Sequence, residues 1–85
     1  MDFEVNIIVA LKKTVNDPQG STVTSSLKTL GFADIMSTRI GKYITLYLKA
    51  DSKEAAEKQT VQMCEKLLSN PVLESYTVNV KKKTK

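Results

Sequence analysis

Histidine and tryptophan are absent from this sequence of 85 residues, and cysteine occurs only once. No imidazole and a single thiol exclude a structural zinc site, which takes four nitrogen or sulfur ligands. They also exclude the Cys–His and Ser–His pairs of nucleophilic catalysis. The lone Cys64 cannot make an internal disulfide, so nothing argues for an oxidising compartment. Long apolar runs are missing too. The longest, Ile7 to Leu11, falls far short of the roughly 20 residues that span a membrane. The start, Met1-Asp2-Phe3-Glu4, is acidic and lacks the basic-then-apolar order of a signal peptide. The expectation is one small cytoplasmic domain without a membrane segment. A chain this short buries only roughly 60% of the surface it exposes when unfolded, so its core is marginal and a partner is of use to it.

Negative charge is scarce only at one end. The formal net charge is +4. Lys81, Lys82, Lys83 and Lys85 account for all of it, leaving nine basic against nine acidic residues in positions 1–80. The body is neutral, and residues 81–85 read as a basic, disordered tail beside a single domain at 1–80. Such a tail can touch nucleic acid or an anionic membrane. Four lysines without an aromatic partner supply no base readout, so a frayed, solvated end explains them more simply.

What the sequence does have is periodicity. Phe3, Val5, Ile7, Val9 and Leu11 fall at every second position, which predicts a strand with one apolar face. Asp17-Pro18-Gln19-Gly20 predicts a helix start, with Asp17 as cap and Pro18 at the first helical position. Val23, Leu27 and Leu30 then share a helix face, and Gly31 stops the helix. Ile44, Leu46 and Leu48 alternate with polar residues in a second clear strand. Ile35 to Thr38 is a weaker strand signal, and Gly41 between the two predicts a hairpin turn or a bulge. Asp51 or Ser52 caps a second helix, whose stripe is Ala56, Thr60, Met63 and Leu67 flanked by Cys64 and Leu68. Asn70-Pro71 ends it. Tyr76, Val78 and Val80 alternate in a last strand.

The order β-α-β-β-α-β predicts an α+β, ferredoxin-like fold: a four-stranded antiparallel sheet with two helices on one face. The opposite face then carries Ile8, Ala10, Tyr43, Thr45 and Tyr47. It is too apolar for free exposure and too polar for a core, which marks a candidate self-association face.

Chemistry-bearing groups are few. Cys64 sits on the apolar side of its helix without a base or a cationic neighbour, so it reads as a structural thiol. Gly20 and Gly41 form no phosphate loop, and no pair of carboxylates stands out as acid and base. Arg39 is the only arginine. With Lys42 it can meet a carboxylate or phosphate, or it can simply flank a turn at a sheet edge.

Several segments together resemble the PurS family, the small accessory subunit of phosphoribosylformylglycinamidine (FGAM) synthase. They are Leu11-Lys12, Asp17-Pro18-Gln19-Gly20, Leu30-Gly31-Phe32, Arg39-Ile40-Gly41-Lys42-Tyr43, and Met63-Cys64-Glu65-Lys66-Leu67-Leu68 running into Asn70-Pro71-Val72 and Tyr76. Their order and spacing are jointly specific over positions 5–80; the terminal lysines fall outside the pattern.

The resemblance implies a non-catalytic subunit of an ATP- and glutamine-dependent C–N ligase of purine biosynthesis. That complex converts formylglycinamide ribonucleotide to the amidine. A large synthetase subunit would carry ATP and magnesium, a glutaminase subunit would release ammonia, and the small subunit would join them and aid ammonia transfer. This chain would itself hold no catalytic residue, cofactor or metal, and would form a homodimer or a dimer of dimers. Two polar loops, which also match the family closely, are the candidate subunit contacts: Asp17, Gln19 and Gly20 in one, Arg39, Gly41 and Lys42 in the other.

A different class of function fits the same element order. An RRM-like RNA-binding module has aromatics on its sheet that stack on bases. The spacing argues against it: Tyr43 and Tyr47 are four apart, and the first strand offers only Asn6, Ile8 and Ala10 on that face. Neither nucleic acid nor a membrane is an expected partner.

Overall fold

The computed structural model describes residues 1–83. Three strands form one antiparallel sheet in the order β2-β1-β3, with β1 at Asp2–Leu11, β2 at Gly41–Lys49 and β3 at Glu74–Lys82. Helix α1 spans Pro18–Thr29 and α2 spans Lys53–Met63. β1 takes the centre because its period-two face is the most apolar. Val5 stands between Leu46 and Val80, and Ile7 between Ile44 and Val78. Phe3, Val5, Ile7 and Val9 are fully buried, each contributing about 1.5–3 kcal/mol relative to exposure.

α2 closes this face. Ser52 caps it, its Oγ accepting from the Ala55 N–H at 3.1 Å. Ala56, Thr60 and Cys64, four residues apart, point into the sheet. The buried Thr60 hydroxyl is satisfied by donating to the Ala56 carbonyl. The helix then widens into a π turn at Cys64–Leu68, closed by the Ser69 N–H on the Cys64 carbonyl. That wider turn shifts the last residues around the axis. Leu67 therefore turns out to solvent, while Cys64, one turn after Thr60 and ahead of the widening, points inward in place of the expected Met63.

Among the described residues the expected four-stranded sheet is not formed: the sheet has three strands and lacks the edge strand predicted over Ile35–Thr38. The alternation there is only four residues long, and its polar groups find partners on α1 instead. The Thr24 and Thr38 hydroxyls bond at 2.7 Å, and the Ile40 N–H donates to Asp17. Gly41 accordingly forms no hairpin turn; it opens β2 and pairs with Ala10. The two helices do not share the sheet either. α2 alone packs over it, across β1 and β3, while α1 supplies no residue to the core. α1 and the return segment 30–40 form an arm, and the radius of gyration is 16.6 Å against about 12 Å for a compact chain of this length. The basic tail set apart at 81–85 begins inside β3. Lys81 pairs with Glu4 and Lys82 with Phe3, and Lys85 lies outside the described residues.

Candidate subunit-docking site

The arm is built on Asp17. Its backbone caps α1, and its two carboxylate oxygens serve different segments. Oδ1 accepts from the Gly20 N–H at 2.9 Å, and Oδ2 accepts from the Ile40 N–H at 2.8 Å, 23 residues away. The side chain is buried. The Ile40 N–H, then the Gly20 N–H, hold the carboxyl below its ordinary value against the opposing effect of burial, and the Arg39 charge adds to them. A carboxyl depressed in the folded state stabilises above its unfolded value and stops doing so as pH falls through its folded value. Asp17→Asn is therefore expected to lower the melting temperature by several degrees at neutral pH. It should also flatten the acid side of the stability profile below the ordinary carboxylate range. Thermal melts of the two proteins from neutral pH downward check both, and parallel profiles would remove Asp17 from this role.

Gly20 lies under the Thr38 carbonyl, with no space for a side chain. Arg39 braces the arm root, Nη2 donating to the Lys12 carbonyl at 2.8 Å. Lys42 reaches the end of the π turn, Nζ donating to the Leu68 carbonyl at 3.4 Å. Both cations keep exposed surface, as does Gln19, which borders a shallow apolar groove of Pro18, Val23 and Ile40. The structure thus gathers Asp17, Gln19, Gly20, Arg39, Gly41 and Lys42 around the arm root. Within that group Asp17 and Gly20 are buried braces, and Gln19, Arg39 and Lys42 face outward.

The sheet face opposite α2 carries the other predicted set. Ile8 stands across from Tyr43, Ala10 from Gly41, and Tyr47 from Glu4. Ile8, Tyr43 and Tyr47 are all more than half exposed. The polar residues among them are tied down: Thr45 Oγ1 donates to Asn6 at 3.0 Å, Lys81 pairs with Glu4 at 3.4 Å, and Lys83 lies 4.8 Å from the Tyr47 ring centre. Sequence reasoning missed the arm's bare tip, where Leu30, Phe32 and Met36 are exposed. The only signal was the Leu30-Gly31-Phe32 segment, since Gly31 takes a φ of 105° to turn the chain there.

No group of metal-ligating side chains is assembled among the described residues. Burial, then the Glu65 charge, pushes the Cys64 thiol up, so it is not a thiolate at neutral pH. The Tyr76 hydroxyl donates to Glu65 at 2.6 Å, which raises it to about 12 and rules it out as a base. Cys64→Ser is accordingly expected to leave the turnover of any assembly containing this chain nearly intact. Loss of turnover in a folded, assembled Cys64→Ser complex would overturn that.

The chain matches a protein-family model, PurS of phosphoribosylformylglycinamidine (FGAM) synthase, over residues 4–82. It is 40% identical over 78 residues to the FGAM synthase subunit PurS of Synechocystis sp., which covers 92% of this chain and 78% of that one. The Bacillus subtilis PurS subunit is 37% identical, with 92% of both chains covered. Among solved structures, Methanocaldococcus jannaschii PurS superposes with a TM-score of 0.86 at 32% identity, covering 96% of this chain and 99% of that one. A chain of PurLQS from Thermotoga maritima does so with a TM-score of 0.87 at 34% identity, covering 95% and 99%.

Proposed function

The chain belongs to the PurS family, and from that membership we propose that it is the small accessory subunit of FGAM synthase. The reaction is the ATP- and glutamine-dependent amidation of formylglycinamide ribonucleotide in purine biosynthesis. The observation that carries this reading is the likeness along nearly the whole chain to a protein solved as part of the PurLQS assembly. The chemistry falls to the partners: a large synthetase subunit holding ATP and magnesium, and a glutaminase subunit releasing ammonia.

The small subunit bridges the two in the cytoplasm and helps ammonia pass between their sites. Ammonia in water at neutral pH is largely ammonium, which is no nucleophile, so a route shielded from water keeps it reactive. Copies of the chain associate through Ile8, Ala10, Tyr43, Thr45 and Tyr47, and the outward groups of the arm root, Gln19, Arg39 and Lys42, meet the larger subunits. An RNA-binding module is not favoured. It wants a four-stranded sheet with clustered aromatics, and here the sheet has three strands.

Arg39→Ala and Lys42→Ala test the contact directly. Each gives up one exposed hydrogen bond to a carbonyl, so each should change stability by no more than about 0.5 kcal/mol. Each should nonetheless weaken binding of the large subunit and lower the glutamine-dependent rate, while the rate with added ammonium salt stays unchanged. Full affinity and full glutamine-dependent rate in both variants would return these residues to the work of bracing the arm.

A further inference from the structure

The lysines near the end of the chain are accounted for neither by the core nor by the arm. They are laid along β3 rather than trailing from it. Lys81 stands opposite Glu4 and reaches it at 3.4 Å, and Lys82 stands opposite Phe3. The Lys83 N–H donates to the Asp2 carbonyl at 2.9 Å, and its ammonium lies 4.8 Å from the centre of the Tyr47 ring. A solvated end would leave these positions unpaired. Here main-chain bonds to β1 hold three positive charges in a row. Because strand residues alternate, Lys81 and Lys83 lean to the open face and Lys82 to the side of α2. All three are exposed.

The strand that carries them is an edge. Its inner side pairs with β1 from Glu74 to Lys82 without a bulge, and no strand lies on its outer side among the described residues. Alternate residues of such an edge turn their N–H and C=O groups outward, where they form a template for another extended chain. Only a main chain matches that alternation of donors and acceptors; a phosphate backbone offers acceptors alone. The lysines then decide which main chain. They repel a basic strand, leave a neutral one with three charges to desolvate, and pair with carboxylates. No acidic residue of the strand itself interferes. Residues 75–82 include none, and Glu74 already accepts from the Asn70 N–H at 2.7 Å.

We propose that the outer edge of β3 takes up an extended acidic segment of a partner protein as a further strand. Main-chain bonds along residues 75–79 supply the attachment, and the carboxylates of the segment pair with Lys81, Lys82 and Lys83. The same lysines that keep other strands off the edge thus admit this one. The edge lies in the plane of the sheet, so it is distinct from the open face of Ile8, Tyr43 and Tyr47 and from the arm root at Arg39 and Lys42. The inference does not depend on which enzyme the chain serves.

Titrating the purified full chain with a synthetic peptide of alternating glutamate and valine, followed by NMR, tests it. Binding should be saturable and should slow hydrogen exchange at the outward amides of residues 75–82. The same peptide N-methylated at alternate residues loses its main-chain donors and should bind at least about 10-fold more weakly. Combining Lys81→Gln, Lys82→Gln and Lys83→Gln removes three exposed charge pairs and should weaken binding about 10-fold. Glutamine in place of glutamate in the peptide should do the same while leaving the protein untouched. Absence of saturable binding overturns the proposal. So does binding indifferent to N-methylation, which would make the lysines a polyanion surface only, and so does equal binding of a peptide with lysine in place of glutamate. Slow exchange at the outward amides before any peptide is added would show β3 already paired with a second copy, and overturns it too. None of these outcomes bears on the FGAM synthase assignment, which is tested separately by glutamine-dependent turnover with the partner subunits.

Discussion

Gly20→Ala should detach the arm from its anchor and cost about 3 kcal/mol, the upper end of what overpacking does. A Cβ at position 20 would overlap the Thr38 carbonyl oxygen, stand 2.9 Å from its carbon, and press to 3.0 Å from Asp17 Oδ2. The first two are backbone atoms that cannot rotate away. Alanine is the better helix former by about 1 kcal/mol, which is too little to offset the clash. The expected loss is a large share of the whole, since 85 residues support only about 4–13 kcal/mol of stability. The adjacent Gln19→Ala is the control: its side chain is exposed, and it should stay within about 0.5 kcal/mol. Urea unfolding of the two variants decides. A Gly20→Ala midpoint equal to that of the unmodified chain would show that residues 38–40 do not rest on α1.

This close approach explains why the arm was hard to read from sequence. Asp17-Pro18 announces a capped helix, and Asp17 Oδ1 does cap it. Nothing in the sequence announces that Oδ2 holds the Ile40 N–H, because a contact spanning 23 residues has no local pattern. The fourth strand failed for the same reason. Ile35 and its neighbours alternate weakly, and the Thr24–Thr38 and Asp17–Ile40 bonds settle where they go.

Where the pattern is long, it was legible. The alternation in β1 gives the buried set Phe3, Val5, Ile7 and Val9, and it also gives the outward set that includes Ile8. The alternation in β2 likewise places Tyr43 and Tyr47 on the outward face. In α2, a 3.6-residue period identifies Ala56 and Thr60 but misplaces Leu67, because the π turn adds a residue to the last turn. Of the arm-root residues, the outward Arg39 and Lys42 were legible as charges beside a turn. The buried role of Gly20 was not, since a glycine in a helix start looks like a loop until its neighbour is known. The family itself rests on the joint order of short segments rather than on any single motif.

The central claim is that this chain contributes assembly and ammonia transfer to FGAM synthase, and no bond chemistry. Its most direct test compares two nitrogen sources in the reconstituted enzyme, with and without this subunit. Glutamine-dependent amidation of formylglycinamide ribonucleotide should fall by at least about 100-fold without it, since the ammonia then meets water before it meets the substrate. Amidation supported by added ammonium salt should persist, because on this account the catalytic groups belong to the large subunit and not to this chain. Glutamine-dependent turnover at the full rate in the absence of this chain would contradict the claim, as would loss of the ammonium-supported reaction along with it.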